Sequence, residues 1–335
     1  DVVVEGENEG IDTVRAFVTR TLDVNQENLV LVGGSAINGT GNALANAITG
    51  NNNNNTMTGA AGDDVVSGGL GNDTFVASLI AAGTDGDDTY DGGDGIDTYN
   101  ISTTAASPTS VNLSGADRTV AGATILAGTA TSAQIGTDTL ISVENVTGSS
   151  GANIIVASTA ANVISGVGGN DVIAATLDDV RDIFNGGAGI DTADYSDYAS
   201  SLTVTLNGNI PTFVFGSGSN FASLDVISAV ENFTGGSAAD ILLGNNSANV
   251  LDGGAGSDTI SGGNGVDTLI GGLGDDTFVF SATSHSGAIA ATRDTIVGFE
   301  GGGAAGGDVV DLGGFAGTFS FIGTAAFASG ATNQI

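Results

Sequence analysis

The feature that most restricts what this chain can become is a period of nine. Stepping back nine residues at a time from Asp276 reaches Asp267, Asp258, Asn249 and Asp240; from Asp73 it reaches Asp64, Asn55 and Asn46, and from Asp171 it reaches Asn162 and Asn153. Shorter frames pair Asp88 with Asp97 and Asp182 with Asp191. The residue two places on is the sterner test, since a chance string of aspartates would not control it. Those residues are Ile48, Met57, Val66, Phe75, Tyr90, Tyr99, Ile155, Ile164, Ile173, Phe184, Ala193, Leu242, Leu251, Ile260, Leu269 and Phe278, all apolar or aromatic. One polar turn residue and one inward side chain per nine describe a turn and a very short strand, repeated as a coil.

A longer period lies over the short one. "ISVENVTGSSGANIIV" (141–156) matches "SAVENFTGGSAADILL" (228–243), and "NQENLVLVGGSAINGTGNALANAI" (25–48) is a looser copy. The phrases "DTYDGGDGIDTYNIS" (88–102) and "DIFNGGAGIDTADYS" (182–196) also correspond. The sequence therefore reads as three modules, 25–140, 141–227 and 228–335, with 1–24 as the end of a preceding one. The intervening stretches "PTSVNLSGA" (108–116) and "SLTVTLNGN" (201–209) alternate like longer strands, and Pro108 and Pro211 fall at strand starts, where a missing N–H is tolerated. Leu177–Phe184 and Ala288–Arg293 are the only helix candidates.

Composition limits the partners. Of 335 residues, 38 are acidic and five are basic (Arg15, Arg20, Arg118, Arg181, Arg293), for a formal charge of −33; Lys, Cys and Trp are absent. That charge disfavours nucleic acid and anionic membranes. Such an imbalance often means disorder, but the 41% hydrophobic content supports a core. With 5% aromatics and 56 glycines that core is thin and regular. No apolar run approaches a membrane span, and the opening "DVVVEGENEG" is unlike a signal peptide. The chain is expected to be part of a longer protein. Without cysteine, an extracellular acidic chain needs a stabilising device other than disulfides.

In "GGAGSDTIS", "GGNGVDTLI" and "GGLGDDTFV" (253–279), glycines at the first, second and fourth positions are expected to allow a tight turn that aims its carbonyls inward, and the sixth-position aspartate adds a carboxylate. Carbonyls and carboxylates without His or Cys are an oxygen shell suited to Ca²⁺. If two nonapeptides make one coil, each turn lies over the second turn before it. Asp258 then faces Asp240 and Asp276 on one edge, while Asp267 and Asn249 share the other. A cation between coils offsets charge that would drive them apart.

These nonapeptides, with "GGLGNDTFV" (68–76) and "GGDGIDTYN" (92–100), resemble the repeats-in-toxin (RTX) calcium-binding nonapeptide GGxGxDxUx. The resemblance implies an all-β protein, a parallel β-roll or β-helix solenoid that binds several Ca²⁺ ions, is exported by a type I system and folds on external calcium. The tail, "RDTIVGFEGGGAAGGDVVDLGGF" (293–315) followed by "FSFIGTAAF", is similar to the C-terminal β-roll domain of serralysin-type metalloproteases.

The metal-ligand candidates are Asp64, Asp73, Asp88, Asp97, Asp171, Asp182, Asp191, Asp240, Asp258, Asp267 and Asp276, with turn glycines Gly62, Gly68, Gly71, Gly92, Gly95, Gly186, Gly189, Gly253, Gly256, Gly262, Gly265, Gly271 and Gly274. About six to ten ions follow from counting stacked turns. The competing reading of each aspartate is turn capping through Asx hydrogen bonds. Asp171 follows a shuffled "GVGGND", and Asp182 has no glycine turn before it. Asn46, Asn55, Asn153, Asn162 and Asn249 offer a neutral oxygen and mark opening coils, often metal free. Asp63, Asp87, Asp94 and Asp275 read as solvated charge, and Asp294, Asp308 and Asp311 as a further candidate site. Glu144 and Glu231, in their shared "VEN", read as structural turn contacts.

Catalytic signals are poor. His285 has no partner for a zinc motif, HExxH and GxSxG are absent, and there is no Cys nucleophile and no Lys for a phosphate loop. A carboxylate pair would suffice for a glycosidase, but every acid is better explained by the repeat. The expectation is a non-enzymatic calcium-binding segment of a large extracellular or cell-surface protein, adhesin-like, surface-layer-like or filament-like. Self-association or cell-surface polysaccharide binding are its candidate partnerships, with no membrane insertion by this segment. The alternative is the folding and export domain of a secreted protease, lipase or alginate epimerase.

Overall fold

The computed structural model describes residues 6, 10–78, 85–102, 107–178, 180–216, 224–282, 284–285, 293–300, 307–312 and 333–334. The chain divides into two compact units, Asp1–Ile173 and Ala174–Ile335.

In the first unit two parallel ladders alternate along the chain. One runs through Thr13–Ala16, Asn28–Leu31, Ala47–Thr49, Val65–Leu70, Thr89–Asp94 and Gly136–Ile141. The other runs through Arg20–Thr21, Gly39–Thr40, Thr56–Thr58, Thr74–Val76, Thr98–Asn100, Asn145–Thr147 and Val163–Ser165. Successive strands of one ladder are commonly 18 residues apart, as in Ile48 beside Val66 and Met57 beside Phe75. Two nonapeptides therefore close one coil, as the spacing predicts.

The second unit repeats the arrangement. Thr192–Asp194, Asn232–Thr234, Val250–Asp252, Thr268–Ile270 and Thr295–Val297 form one parallel ladder. Leu202–Thr205, Ile241–Leu243, Thr259–Ser261, Thr277–Val279 and Val309–Asp311 form the other. The longer alternating stretches are strands, but they join through antiparallel inserts: Thr109–Asn112 beside Thr129–Ser132, and Leu202–Thr205 beside Thr212–Gly216. Pro108 and Pro211 each stand immediately before such a strand.

The core is a stack of single side chains. All sixteen residues two places after the repeat Asx are at most 1% exposed. Strand register places each on its counterpart, as in Met57–Phe75–Tyr99–Val146 and Phe233–Leu251–Leu269–Ile296. Phe75, Tyr90 and Tyr99 pack with ring centroids 5.4 Å apart at each step. A period of nine leaves each coil too thin to bury its apolar row alone, so stacking supplies the missing face.

The described residues of the helix candidate at 177–184 are not helical: Ile183–Asn185 is a strand paired with Asp225–Ser228. Tertiary pairing overrides weak helical propensity there. Of the second candidate, residues 288–292 lie outside the described residues, as do 1–5 at the start and "FSFIGTAAF" in the tail.

Candidate metal centre

Each repeat strand is preceded by its turn, which brings the sixth residue to the edge of the coil and turns its side chain inward. All eleven candidate aspartates are buried, none more than 1% exposed. Burying a carboxylate demands compensation, and the first part is a ladder of main-chain hydrogen bonds. In the first unit the Asn46 N–H donates to Asp64 Oδ1 (2.7 Å), the Asp64 N–H to Asp88 Oδ1 (2.8 Å) and the Asp88 N–H to Asp138 Oδ1 (3.1 Å). On the other edge Asn55 donates to Asp73, Asp73 to Asp97 and Asp97 to Glu144 Oε2. In the second unit Asp240, Asp258, Asp276 and Asp308 form one such ladder and Asn249, Asp267 and Asp294 another.

The second carboxylate oxygen is the informative atom. Asp64, Asp73, Asp97, Asp258 and Asp267 each bury Oδ2 with no hydrogen-bond partner. Burial raises Asp64, Asp258 and Asp267 to about 7, with nearby aspartates adding to the rise and the ladder bonds opposing it. Asp97 rises to about 6 for the same leading reason.

In the turns of these five aspartates the first glycine faces that oxygen. A Cβ on Gly253 would lie 2.2 Å from Asp258 Oδ2 and 2.7 Å from the Gly271 carbonyl of the next coil; on Gly68 it would lie 2.2 Å from Asp73 Oδ2 and 2.6 Å from the Gly92 carbonyl. Gly92, Gly186, Gly262 and Gly271 are likewise crowded by the carboxylate of their own turn. These first glycines do not adopt a positive φ, which corrects the expectation that all three turn glycines serve backbone conformation. Close approach excludes a side chain at the first position, whereas the second and fourth positions carry the positive φ, as at Gly263 (+91°) and Gly265 (+142°). Among the remaining fourth-position candidates, Gly62, Gly71, Gly189, Gly256 and Gly274 also have positive φ, and Gly95 sits against the Gly71 carbonyl.

Among the described residues no group of three or more His, Cys, Asp or Glu side chains forms a metal-sized cluster. Each aspartate-bearing turn contributes one buried carboxylate, so main-chain carbonyls must supply the other donors. An unpartnered Oδ2 beside a carbonyl from the next coil is such an oxygen-only set, and it suits Ca²⁺. When bound, calcium supplies the positive charge that the buried carboxylates lack. The protein residues hold the oxygens in place and exclude side-chain bulk.

The other candidates are placed variously. Asp171 takes the Asn153 N–H on Oδ1 at 2.6 Å, and its shuffled turn keeps the same backbone form because Val167 adopts φ +76° and Gly169 +99°. The Asp182 N–H donates to Asp225 Oδ1 and that of Asp191 to Glu231 Oε2. Asp88 has both oxygens engaged, Oδ2 by the Tyr90 hydroxyl at 2.8 Å. Asp240 also has both engaged, by Leu202 and Gly236 N–H groups. Asp294 and Asp308 join the ladders, whereas Asp311 is exposed in its strand. Glu144 and Glu231 make the turn contacts expected of them.

Asp138, Asp225 and Asp85 were not singled out from sequence. Asp138 and Asp225 terminate ladder segments, and the second oxygen of each accepts a hydrogen bond from a buried tyrosine hydroxyl, that of Tyr99 and Tyr195 respectively. Burial raises Asp138 to about 8 and Asp225 to about 6. Both precede an inward apolar residue by two, Leu140 and Ile227, so the aspartate-to-apolar spacing was present without its glycine turn. Asp85 is fully buried, with Oδ2 on the Ser78 N–H and Oδ1 unpartnered.

The fold and these turns define a calcium-binding parallel β-roll. The RTX calcium-binding nonapeptide repeat family (four copies) matches residues 40–75, 81–99, 147–179, 234–269 and 243–278. These stretches of the chain carry RTX-type calcium-binding repeats, and such repeats bind multiple Ca²⁺ ions. No curated protein matches it.

Proposed function

We propose that this calcium-binding β-roll is a structural segment of an extracellular or cell-surface protein that folds on external calcium and holds neighbouring parts at fixed spacing. The supporting observation is the row of buried carboxylates whose second oxygens have no partner. Such a row is costly without a cation and stabilising with one. Calcium outside a cell therefore acts as the folding signal, and its scarcity inside keeps the segment open for export. RTX repeats occur in secreted proteins, which supports the location. An adhesin-like, surface-layer-like or filament-like role accords with the repeated modules, and the segment itself carries out no catalysis.

Far-UV circular dichroism during a calcium titration, with magnesium as control, tests the reading. The expected result is a cooperative gain of β-structure with calcium and none with magnesium, whose smaller, rigid octahedral shell fits carbonyl-rich turns poorly. A spectrum already fully folded in chelator and indifferent to calcium would overturn it.

A further inference from the structure

The turns fall into two conformational classes, and the sixth residue alone does not separate them. In one class the second residue has a positive φ, and in the turns where that residue is Ala60 (+84°), Gly69 (+98°), Gly254 (+91°) or Gly263 (+91°) the sixth-position Asp64, Asp73, Asp258 or Asp267 keeps an unpartnered Oδ2. In the other class, turns 41–46, 50–55, 148–153, 157–162 and 244–249, the second residue is Asn or Ser and has no positive φ. Its N–H donates to the side-chain carbonyl of the sixth-position asparagine at 2.7 to 2.9 Å. Its own side chain then accepts the N–H of the fourth residue.

The asparagine amide completes the second class. Asn55 Nδ2 donates to the Ile37 carbonyl (2.5 Å), Asn162 to that of Glu144 (2.5 Å) and Asn249 to that of Glu231 (2.6 Å). A neutral side chain thus presents positive hydrogens to a carbonyl of the preceding coil and caps its own turn, where the first class leaves oxygens facing oxygens. Such a turn has nothing left for a cation to satisfy. Turn 235–240 belongs here despite its aspartate, because Gly236 N–H and Leu202 N–H occupy both oxygens of Asp240.

The order of the classes is regular. Two self-capped turns, one full coil, occur at 41–55, 148–162 and 235–249, and positive-φ turns follow each pair. The capped coil holds the first carboxylates of the next by their Oδ1 atoms: Asn46 on Asp64, Asn55 on Asp73, Asn249 on Asp267. We infer that the second and sixth residues together decide which turns take calcium, and that each calcium-binding stack stands on a self-capped coil that needs no metal. This inference rests on the calcium reading above.

Two measurements on the whole chain test it. Hydrogen exchange by mass spectrometry in chelator should show 41–58, 148–165 and 235–252 exchanging at least about tenfold more slowly than 59–76 and 253–279, with calcium closing the gap. The second is a turn exchange. Converting 262–267 to the capped form (Gly263→Asn, Gly265→Ser, Asp267→Asn) should lower calcium stoichiometry by at least one ion while β-structure persists; Asp267→Ala should lose both. Converting 50–55 the other way (Asn51→Gly, Asn53→Gly, Asn55→Asp) should add an ion and remove the protection in chelator. Equal exchange in both classes, or a capped 262–267 variant as damaged as Asp267→Ala, overturns the inference while calcium-induced protection still supports the function. If calcium protects no segment, the function itself falls.

Discussion

Replacing Asp258 separates its two jobs. Its Oδ1 accepts the Asp240 N–H at 2.7 Å, and its Oδ2 is buried without a partner in the protein. Asp258→Asn keeps an acceptor of the same shape and removes the charge; Asp258→Ala removes both. In chelator the asparagine variant should resist proteolysis better than wild type, because it no longer buries a carboxylate that burial and its neighbours Asp276 and Asp240 push up to about 7. The alanine variant should be weaker than the asparagine variant by about 1–3 kcal/mol, the cost of an unsatisfied buried N–H. With calcium the order changes. An ion at a hundred times its Kd stabilises the fold by about 2.7 kcal/mol, and a tenfold weaker site retains about 1.4 kcal/mol, so Asp258→Asn should lose about 1.3 kcal/mol and require more calcium at its midpoint. The assay is limited proteolysis in chelator beside a calcium titration followed by circular dichroism. An asparagine variant with the wild-type calcium midpoint, or one weaker than wild type in chelator, would refute the ligand role.

Further predictions concern the glycine cradle, pH and the tyrosine caps. Gly253→Ala sets a methyl 2.2 Å from Asp258 Oδ2 and should raise the calcium midpoint at least as much as Asp258→Asn; an unchanged midpoint by titration would show the cradle to be unnecessary. Asp64, Asp258 and Asp267 rise from 3.8 to about 7 in the metal-free fold, so that fold binds more protons than the open chain and loses stability as pH climbs through this window. Circular dichroism in chelator should therefore show more β-structure at pH 5 than at pH 8, whereas calcium affinity should fall on acidification; a flat response in chelator would contradict the sign. Tyr195→Phe strips Asp225 Oδ2 of its 2.9 Å donor and should cost about 1–3 kcal/mol in urea unfolding at saturating calcium, with a wild-type midpoint as the contrary result.

Local chemistry made much of this protein legible. A nine-residue period with an apolar residue two places after each Asx can bury its side chains only by stacking, so the coil, its 18-residue rise and the inward row from Ile48 to Phe278 followed from the sequence alone. The oxygen-only chemistry of the GGxGxD turns was equally plain, since no His or Cys competes for the metal. What the period could not show was decided between coils. Asp138 and Asp225 have the ladder spacing without the turn, and only the pairing of distant strands brings them under Asp88 and Asp182. The first glycines look like conformational glycines in sequence, yet it is the carboxylate and carbonyl packed against them that forbid a side chain. Asp88 and Asp240 carry the same letter as Asp258, but their second oxygens are engaged by Tyr90 and by the Gly236 N–H. Sequence determines which residues can offer oxygen to a cation. Tertiary structure determines which oxygens remain unsatisfied, because that depends on hydrogen-bond donors arriving from other turns and coils.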